Sequence, residues 1–290
     1  MEINLSNLTG TLYVVATPIG NLDDLSPRAI EIFKKVKFIA AEDTRHSKKL
    51  FNHYCLNPRV LSHHKFNEHK SDLKLIKFLE NGNDIALISD AGTPLISDPG
   101  FGLVRLCHNK SIKVVPIPGP SALISALSVA GLPTDKFIFE GFLADKHSAR
   151  VKQLRTLEYE MRTLVFYEAP HRIKELLQDV IEVFGAERII VLARELTKKF
   201  ETIKMGTVRD ILDWIELDNN QQKGEFVVMV QGINKHDRRT SLETSSILRI
   251  ILEELPLKKA AGITSKITGD SKNDVYQLGL ELLEKKKSSS

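Results

Sequence analysis

Two cysteines, Cys55 and Cys107, are all that 290 residues offer. That is too few for a disulfide framework or a cysteine-ligated metal site, and it fits a reducing compartment. No apolar run reaches the roughly 20 residues needed to cross a bilayer, and the N-terminus lacks the basic-then-apolar pattern of a secretory signal. A soluble cytoplasmic protein with no membrane partner is expected. The G-x-G-x-x-G string is absent, which argues against a nicotinamide or flavin site and against the common Rossmann-type methyltransferase. There is no G-x-S-x-G elbow for a nucleophilic serine. His46, His53, His63, His64 and His69 fall in no metal-ligand spacing, so no metal is expected; His63, His64, Asn67 and Glu68 are read as a polar cleft rim. Charge of one sign is scarce as well. The net charge is +4, and residues 235–290 hold 11 Lys/Arg against 8 Asp/Glu, while the rest carries 30 against 29. The mild basic excess sits in the tail and hints at an acidic partner.

What is present is an ordinary globular composition, 42% apolar and 27% charged, with apolar runs alternating with amphipathic stretches through residue 232. Strands are expected at 11–16, 38–41, 85–88 and 113–115, with a helix opening at Ser26-Pro27, where proline suits the first helical position. The alternation predicts a parallel, doubly wound sheet. After Ala130-Gly-Leu-Pro133 come further strands at 137–140, 164–167, 189–192 and 226–231, with helices at about 148–158, 171–184 and 207–216. The fold class is therefore α/β: an N-terminal α/β domain over 1–120, a second over 121–234, a polar linker at 233–241 and a small helical appendage over 242–287.

The most informative stretch is Ser89-Asp-Ala-Gly-Thr-Pro-Leu-Ile-Ser-Asp-Pro-Gly100. Two acids, two prolines and two glycines follow a buried strand, and stiff loops at strand carboxyl ends are where open α/β folds hold ligands. Thr17-Pro-Ile-Gly-Asn21 follows the first strand, and the acids Glu42-Asp43 end the second. Pro116–Ser121 feeds a helix, so Ser121 can cap it or meet a polar ligand. Tyr167-Glu-Ala-Pro-His-Arg172, Ala193-Arg-Glu-Leu-Thr-Lys198 and Lys223-Gly-Glu225 concentrate ionisable groups at strand ends of the second half.

Together with Ala16-Thr-Pro-Ile-Gly-Asn-Leu22, Ala41-Glu-Asp-Thr-Arg-His46, Pro118-Gly-Pro-Ser-Ala122, Phe139-Glu-Gly-Phe-Leu143 and Leu255-Pro-Leu-Lys-Lys-Ala-Ala261, these strings resemble the ribosomal RNA small subunit methyltransferase I family of the tetrapyrrole-methylase superfamily. Leu143-Ala-Asp-Lys146 departs from the family's Leu-Pro-x-Lys pattern, which puts that loop's rigidity in question. The resemblance implies a class III methyltransferase of two α/β domains with S-adenosylmethionine folded in the cleft between them. It also implies a homodimer and, as substrate, 16S rRNA within the 30S subunit, methylated on the ribose 2′-hydroxyl of cytidine 1402 in the decoding region. Cofactor contacts carried over by position are Pro18, Asp90, Ala91, Gly92, Thr93, Pro94, Ile96, Ser121, Ala122, Phe142, Ala193, Leu196, Gly224 and Glu225. Glu42, Asp43 and Glu195 are the candidate bases. Arg45, Lys65, Lys146, Arg150, Arg172, Lys198 and the basic tail are the expected RNA contacts, with Phe66 or Tyr167 to stack a splayed base. A tetrapyrrole C-methyltransferase on the same scaffold and a non-catalytic RNA-binding assembly factor remain as alternatives, and residues 242–287 fit either an RNA-docking or a dimer-supporting role.

Overall fold

The computed structural model describes residues 9–287 apart from residues 66 and 234. Its first sheet is built from β1 (Leu12–Val15), β2 (Phe38–Ala41), β3 (Val60–Ser62), β4 (Ile85–Ile88) and β5 (Val114–Ile117) in the order β3-β2-β4-β1-β5. Every pairing is parallel. Parallel strands need crossover helices, and these cover both faces. Helices α1 (Pro27–Lys35) and α2 (Thr44–His53) bury Ile32, Phe33, Leu50 and Phe51 against Val15, Ile39, Ala41 and Ile88. On the other face α3 (Glu68–Glu80) and α4 (Phe101–Asn109) bury Leu75, Leu79, Leu103 and Cys107 against Leu12, Ala40, Ile85 and Leu87. The expected start of α1 is seen: Ser26 Oγ accepts the Ala29 amide and Pro27 stands at the first position.

The helix α5 (Ala122–Val129) links the halves. Although it follows β5, its Leu123, Ala126 and Leu127 pack on Val165, Val191, Ala193, Val227 and Met229 of the second sheet. The change of layer thus falls at residues 120–121, before the Ala130–Pro133 turn. The second sheet comprises β6 (Phe137–Phe142), β7 (Thr163–Glu168), β8 (Ile189–Arg194), β9 (Thr202–Thr207) and β10 (Phe226–Val230) in the order β6-β7-β10-β8-β9. Only β6 and β7 run parallel; β10 is antiparallel to β7 and β8, and β9 to β8. Its outer face is covered by α6 (His147–Thr156), α7 (Ile173–Phe184) and α8 (Val208–Leu217). The last of these opens with a Thr207–Asp210 capping box.

Strand β9 lies outside the strands expected from sequence. Its two apolar residues, Ile203 and Met205, are exposed, while the half-buried positions carry Thr202, Lys204 and Gly206, so no apolar run marks it. The three-residue β3, Val60–Ser62, also unexpected, is too short to show a period. Beyond residue 234, α9 (Lys235–Glu254), α10 (Leu257–Thr268) and α11 (Lys272–Lys287) enclose their own small core of Leu248, Ala260, Ala261 and Val275. No helix among the described residues is long and apolar enough to cross a membrane.

Candidate active site

The loops at the carboxyl ends of the first sheet are tied to one another. Thr17 and Gly92 exchange backbone hydrogen bonds of 2.8 and 3.0 Å, joining the loop after β1 to the loop after β4. Ser89 Oγ donates to the Gly92 carbonyl, and Thr93 Oγ1 donates to the Pro120 carbonyl at the mouth of α5. Gly92 has φ of +80°, and a Cβ there would stand 3.3 Å from Ile19 Cγ2, so the sharp turn and the close approach both call for glycine. Strain is concentrated here. Of six described non-glycine residues with positive φ, Leu95, Ser97, Glu195 and Thr197 lie in the two loops that face each other across the cleft.

Between the sheets lies a cavity of about 450 Å³, within the range of about 300–1,000 Å³ typical of small-molecule sites. The first half contributes Ile19, Glu42, the 90–98 loop, Ser121 and Ala122; the second contributes Phe142, Tyr167–Pro170, Ala193, Leu196 and Glu225–Val227. Of the positions expected to touch a cofactor, Asp90, Ala91, Gly92, Thr93, Ile96, Ser121, Ala122, Phe142, Ala193, Leu196 and Glu225 line it. Three do not. Pro18 lines a neighbouring cavity, and Pro94 is buried within its own loop. Gly224 is a support: its φ is +100°, and a Cβ would come within 2.6 Å of the Glu195 carboxylate. Ser121 occupies the N-cap position of α5 without a side-chain capping bond, so its hydroxyl is left for a ligand. The adjacent Leu123 amide is taken by the Tyr167 hydroxyl at 3.1 Å.

Five carboxylates line this cavity, those of Glu42, Asp90, Asp98, Glu168 and Glu225, and no lysine or arginine among the described residues does. Burial, and then the charge of Glu42, push Asp98 up to about 6. Burial and the Asp90 charge likewise raise Glu42. Burial raises Glu168, whose Oε2 is enclosed with no hydrogen-bond partner. Asp98 and Glu168 were not singled out from sequence, although both lie in loops that were. Position in a motif marks the loop, while burial among like charges is what marks the residue.

The expected bases divide. Glu42 faces the cavity. Asp43 caps α2, its Oδ1 accepting the Arg45 amide at 2.7 Å and its other oxygen pairing with the Arg45 guanidinium, so its proton affinity is lowered. Glu195 does not line this cavity. Burial would raise it, but the Lys198 ammonium at 2.8 Å and the Glu225 amide at 3.0 Å outweigh that and hold it low. Asp43 and Glu195 are thus each engaged in local structural contacts.

Two expected RNA contacts are corrected. The Arg150 side chain is 1% exposed, paired with Asp179 and Glu175, and donates to the Asp145 carbonyl at 3.1 Å. Arg172 pairs with Asp145 and Glu168 and donates to the carbonyls of Leu143 and Ala144. Both guanidiniums fix the 143–145 loop, which supplies the rigidity that the missing proline left in question. Lys198 is engaged by Glu195 and Glu225. Arg45, Lys65 and Lys146 are exposed. Tyr167 stands in the cavity wall, edge-on to Phe139 and Phe142, so it cannot stack a base at the surface. Phe66 lies outside the described residues. The His63–Glu68 rim is also corrected: His63 is fully buried beside Asp72, and Glu68 accepts the Gly100 amide.

A second cavity of about 320 Å³ adjoins the first and shares Ile19, Asp90, Ala91 and Glu225 with it. Its other walls are the Thr17–Leu22 loop, Ile88 and Ser89 at the end of β4, His46, Ser47, Lys49 and Leu50 of α2, and Lys198. Neither His46 nor Lys49 was among the expected sites; the basic run Arg45-His-Ser-Lys-Lys49 was the available signal.

The family model for Tetrapyrrole (Corrin/Porphyrin) Methylases matches residues 11–212, and that for the RsmI C-terminal HTH domain matches residues 240–283. The chain is 53% identical to the Pseudomonas aeruginosa protein named Ribosomal RNA small subunit methyltransferase I, over 94% of this chain and 97% of that one. It is 47% identical to the protein of the same name from Escherichia coli O157:H7, over 95% and 96%. Among solved structures, diphthine synthase superposes with a TM-score of 0.60 at 14% identity over 77% of this chain and 90% of its own. Uroporphyrin-III-C-methyltransferase from Thermus thermophilus gives 0.55 at 18% over 77% and 94%. At those identities the likeness concerns the fold. S-adenosylmethionine is the methyl donor of such enzymes, and the cavity fits it: a sulfonium and an ammonium meet a cation-free wall of acids, the orphaned Glu168 Oε2 awaits a donor, and Ile19, Ala122, Ala193 and Leu196 offer apolar contact. The chain belongs to the tetrapyrrole methylase family, in the group that includes these ribosomal RNA small subunit methyltransferases I.

Proposed function

We propose that this protein methylates small-subunit ribosomal RNA, at the ribose 2′-hydroxyl of a cytidine in the decoding region (cytidine 1402). The observation that carries the reading is the pairing of two unlike cavities across one wall: an acid-lined cleft suited to a cationic methyl donor, and beside it a cavity edged by His46, Lys49 and Lys198. Identity near 50% to the named relatives over almost the whole chain supports the substrate class.

S-adenosylmethionine supplies an activated sulfonium methyl, so the chain's task is alignment, which is worth about 7–11 kcal/mol when the reacting atoms are held in line. The tied loops at Thr17–Gly92 and Thr93–Pro120 hold one side of the cleft, and Glu195, Lys198 and Gly224 brace the other. When the methyl is transferred, the acceptor hydroxyl's proton would pass to the Glu42 carboxylate. Glu42 accepts the Asp90 amide, and its proton affinity is raised by burial and by Asp90. A positioned base contributes roughly 10²–10⁴-fold.

The test is transfer of labelled methyl to 30S subunits, naked 16S rRNA and uroporphyrinogen in parallel. Label is expected in RNA, with the adjacent phosphodiester resistant to alkali. Label in the porphyrin alone overturns the RNA substrate, and label in none favours a binding factor.

A further inference from the structure

The cleft that suits the methyl donor is poorly suited to admit the acceptor. An RNA segment entering past Phe142 would bring phosphates toward five carboxylates, of which Glu168 pairs with Arg172 and Glu225 with Lys198, while Glu42, Asp90 and Asp98 have no ion pair to a described residue. Like charges repel more strongly in a partly enclosed cleft than in open water, because the effective dielectric is lower. Anionic substrate therefore needs another approach to the same methyl group.

The adjoining cavity offers one. Lys48 and Lys49 are exposed on α2, which carries no acidic residue of its own. No described residue forms an ion pair with either lysine. Arg45 adds a further exposed guanidinium at the start of the helix, with its side chain 92% exposed although it also reaches Asp43. His46, one turn before the buried Leu50, is exposed at the same edge; Ser47 and Leu50 seat the helix on the sheet. Lys198, by contrast, already holds two carboxylates and adds little free charge. The volume of about 320 Å³ stands at the lower end of small-molecule sites, enough for one extruded nucleotide but not for a duplex. The wall shared by the two cavities includes Asp90, whose amide donates to Glu42, the proton acceptor proposed above.

We propose that the cavity between α2 and the Thr17–Leu22 loop receives the acceptor nucleotide of a single-stranded RNA segment, with Lys49 and His46 holding its phosphates and its ribose hydroxyl directed at the Asp90 wall. The assignment rests on the RNA-methylating reading above and gives that reading its substrate entrance. It makes Lys49 and His46 specificity residues for an anionic acceptor, and it separates their role from cofactor binding, since neither lines the donor cleft.

Two measurements on the full chain test it. The first compares wild type with Lys49→Glu and His46→Gln for labelled-methyl transfer to 30S subunits across a salt series, with S-adenosylmethionine affinity measured alongside. Lys49→Glu is expected to raise KM for the subunit at least tenfold and to lower the slope of log kcat/KM against log salt by about 1, the effect of about one lost phosphate contact. Cofactor affinity should stay within about twofold. The second titrates the wild-type S-adenosylhomocysteine complex with cytidine 3′,5′-bisphosphate and follows ring signals by NMR; the His46 ring is expected to shift first. An active wild type with unchanged KM and salt slope in both variants overturns the acceptor site while leaving the RNA reading intact, as do shifts confined to Phe142 and Tyr167. A wild type that methylates no RNA overturns both.

Discussion

The two cavities share four residues and differ in almost everything else. One is bounded by five carboxylates and by apolar residues from both sheets; the other is edged by the basic helix α2 and the loop after β1. The difference shows how one scaffold can hold a cationic donor and an anionic acceptor a single wall apart. Charge at a surface is also an unreliable guide to its use. Two of the arginines expected to contact nucleic acid, Arg150 and Arg172, are internal struts, whereas Lys49 of α2 lies at the cavity edge.

The sharpest way to break that comparison is Arg150→Ala. Removing one partner of a buried ion pair leaves the Asp179 carboxylate enclosed with only the His147 imidazole beside it, so a loss of about 3 kcal/mol in stability is expected, the lower end for breaking a buried pair. Thermal melting should fall by on the order of 10 °C. The salt dependence of the remaining activity should not change, and a flattened salt slope would return Arg150 to the RNA interface.

A smaller loss is expected from Glu42→Gln, which keeps the shape of the donor cleft but removes the proposed proton acceptor. The variant should turn over roughly 10²-fold more slowly, with cofactor affinity changed far less. In wild type, kcat/KM should fall with acidification through the raised pKa of Glu42, because only the carboxylate can take the hydroxyl proton. A variant of full rate would place the base elsewhere in the acid cluster.

Asp98 gives a thermodynamic test of the same wall. Its carboxyl is pushed up to about 6 in the free protein, and a bound cation favours the ionised form, so binding lowers that pKa and releases a proton. Affinity for S-adenosylmethionine is therefore expected to be fully present above about pH 7 and to weaken as pH falls through about 6. Asp98→Asn should remove this dependence and weaken S-adenosylmethionine about tenfold, or about 1.4 kcal/mol. Binding of the uncharged thioether product should change less, and titration calorimetry with both ligands separates the cases.

Much of this is legible in the sequence alone. Strand ends followed by Pro, Gly and acids locate the loops, because stiff turns and the absence of helix or sheet continuation are local properties of the chain. Eleven of the fourteen cofactor positions that the family resemblance implies line the cleft, in or beside those loops. The antiparallel order of the second sheet is not legible, since β-α alternation reads the same until β10 inserts between β7 and β8. Nor can sequence separate Glu42 from Asp43 or Arg150 from Lys146. Those pairs differ only in what surrounds them: a helix N-terminus claims Asp43, and Asp179 on a helix 29 residues away claims Arg150.

The smallest expected effect belongs to Lys146, which opens α6 as an exposed side chain with no ion pair to a described residue. It lies three residues past Leu143, on the loop that Arg172 and Arg150 hold in place, and it lines neither cavity. Any contact it makes with RNA is then a single peripheral phosphate contact. Lys146→Ala should leave kcat and cofactor affinity unchanged, raise KM for the subunit by no more than about threefold at low salt, and converge on wild type as added salt screens the contact. A tenfold or larger effect that persists at high salt would mean that the second half of the molecule grips the substrate directly. The proposed division of labour, with donor held between the sheets and acceptor held by α2, would then have to include α6.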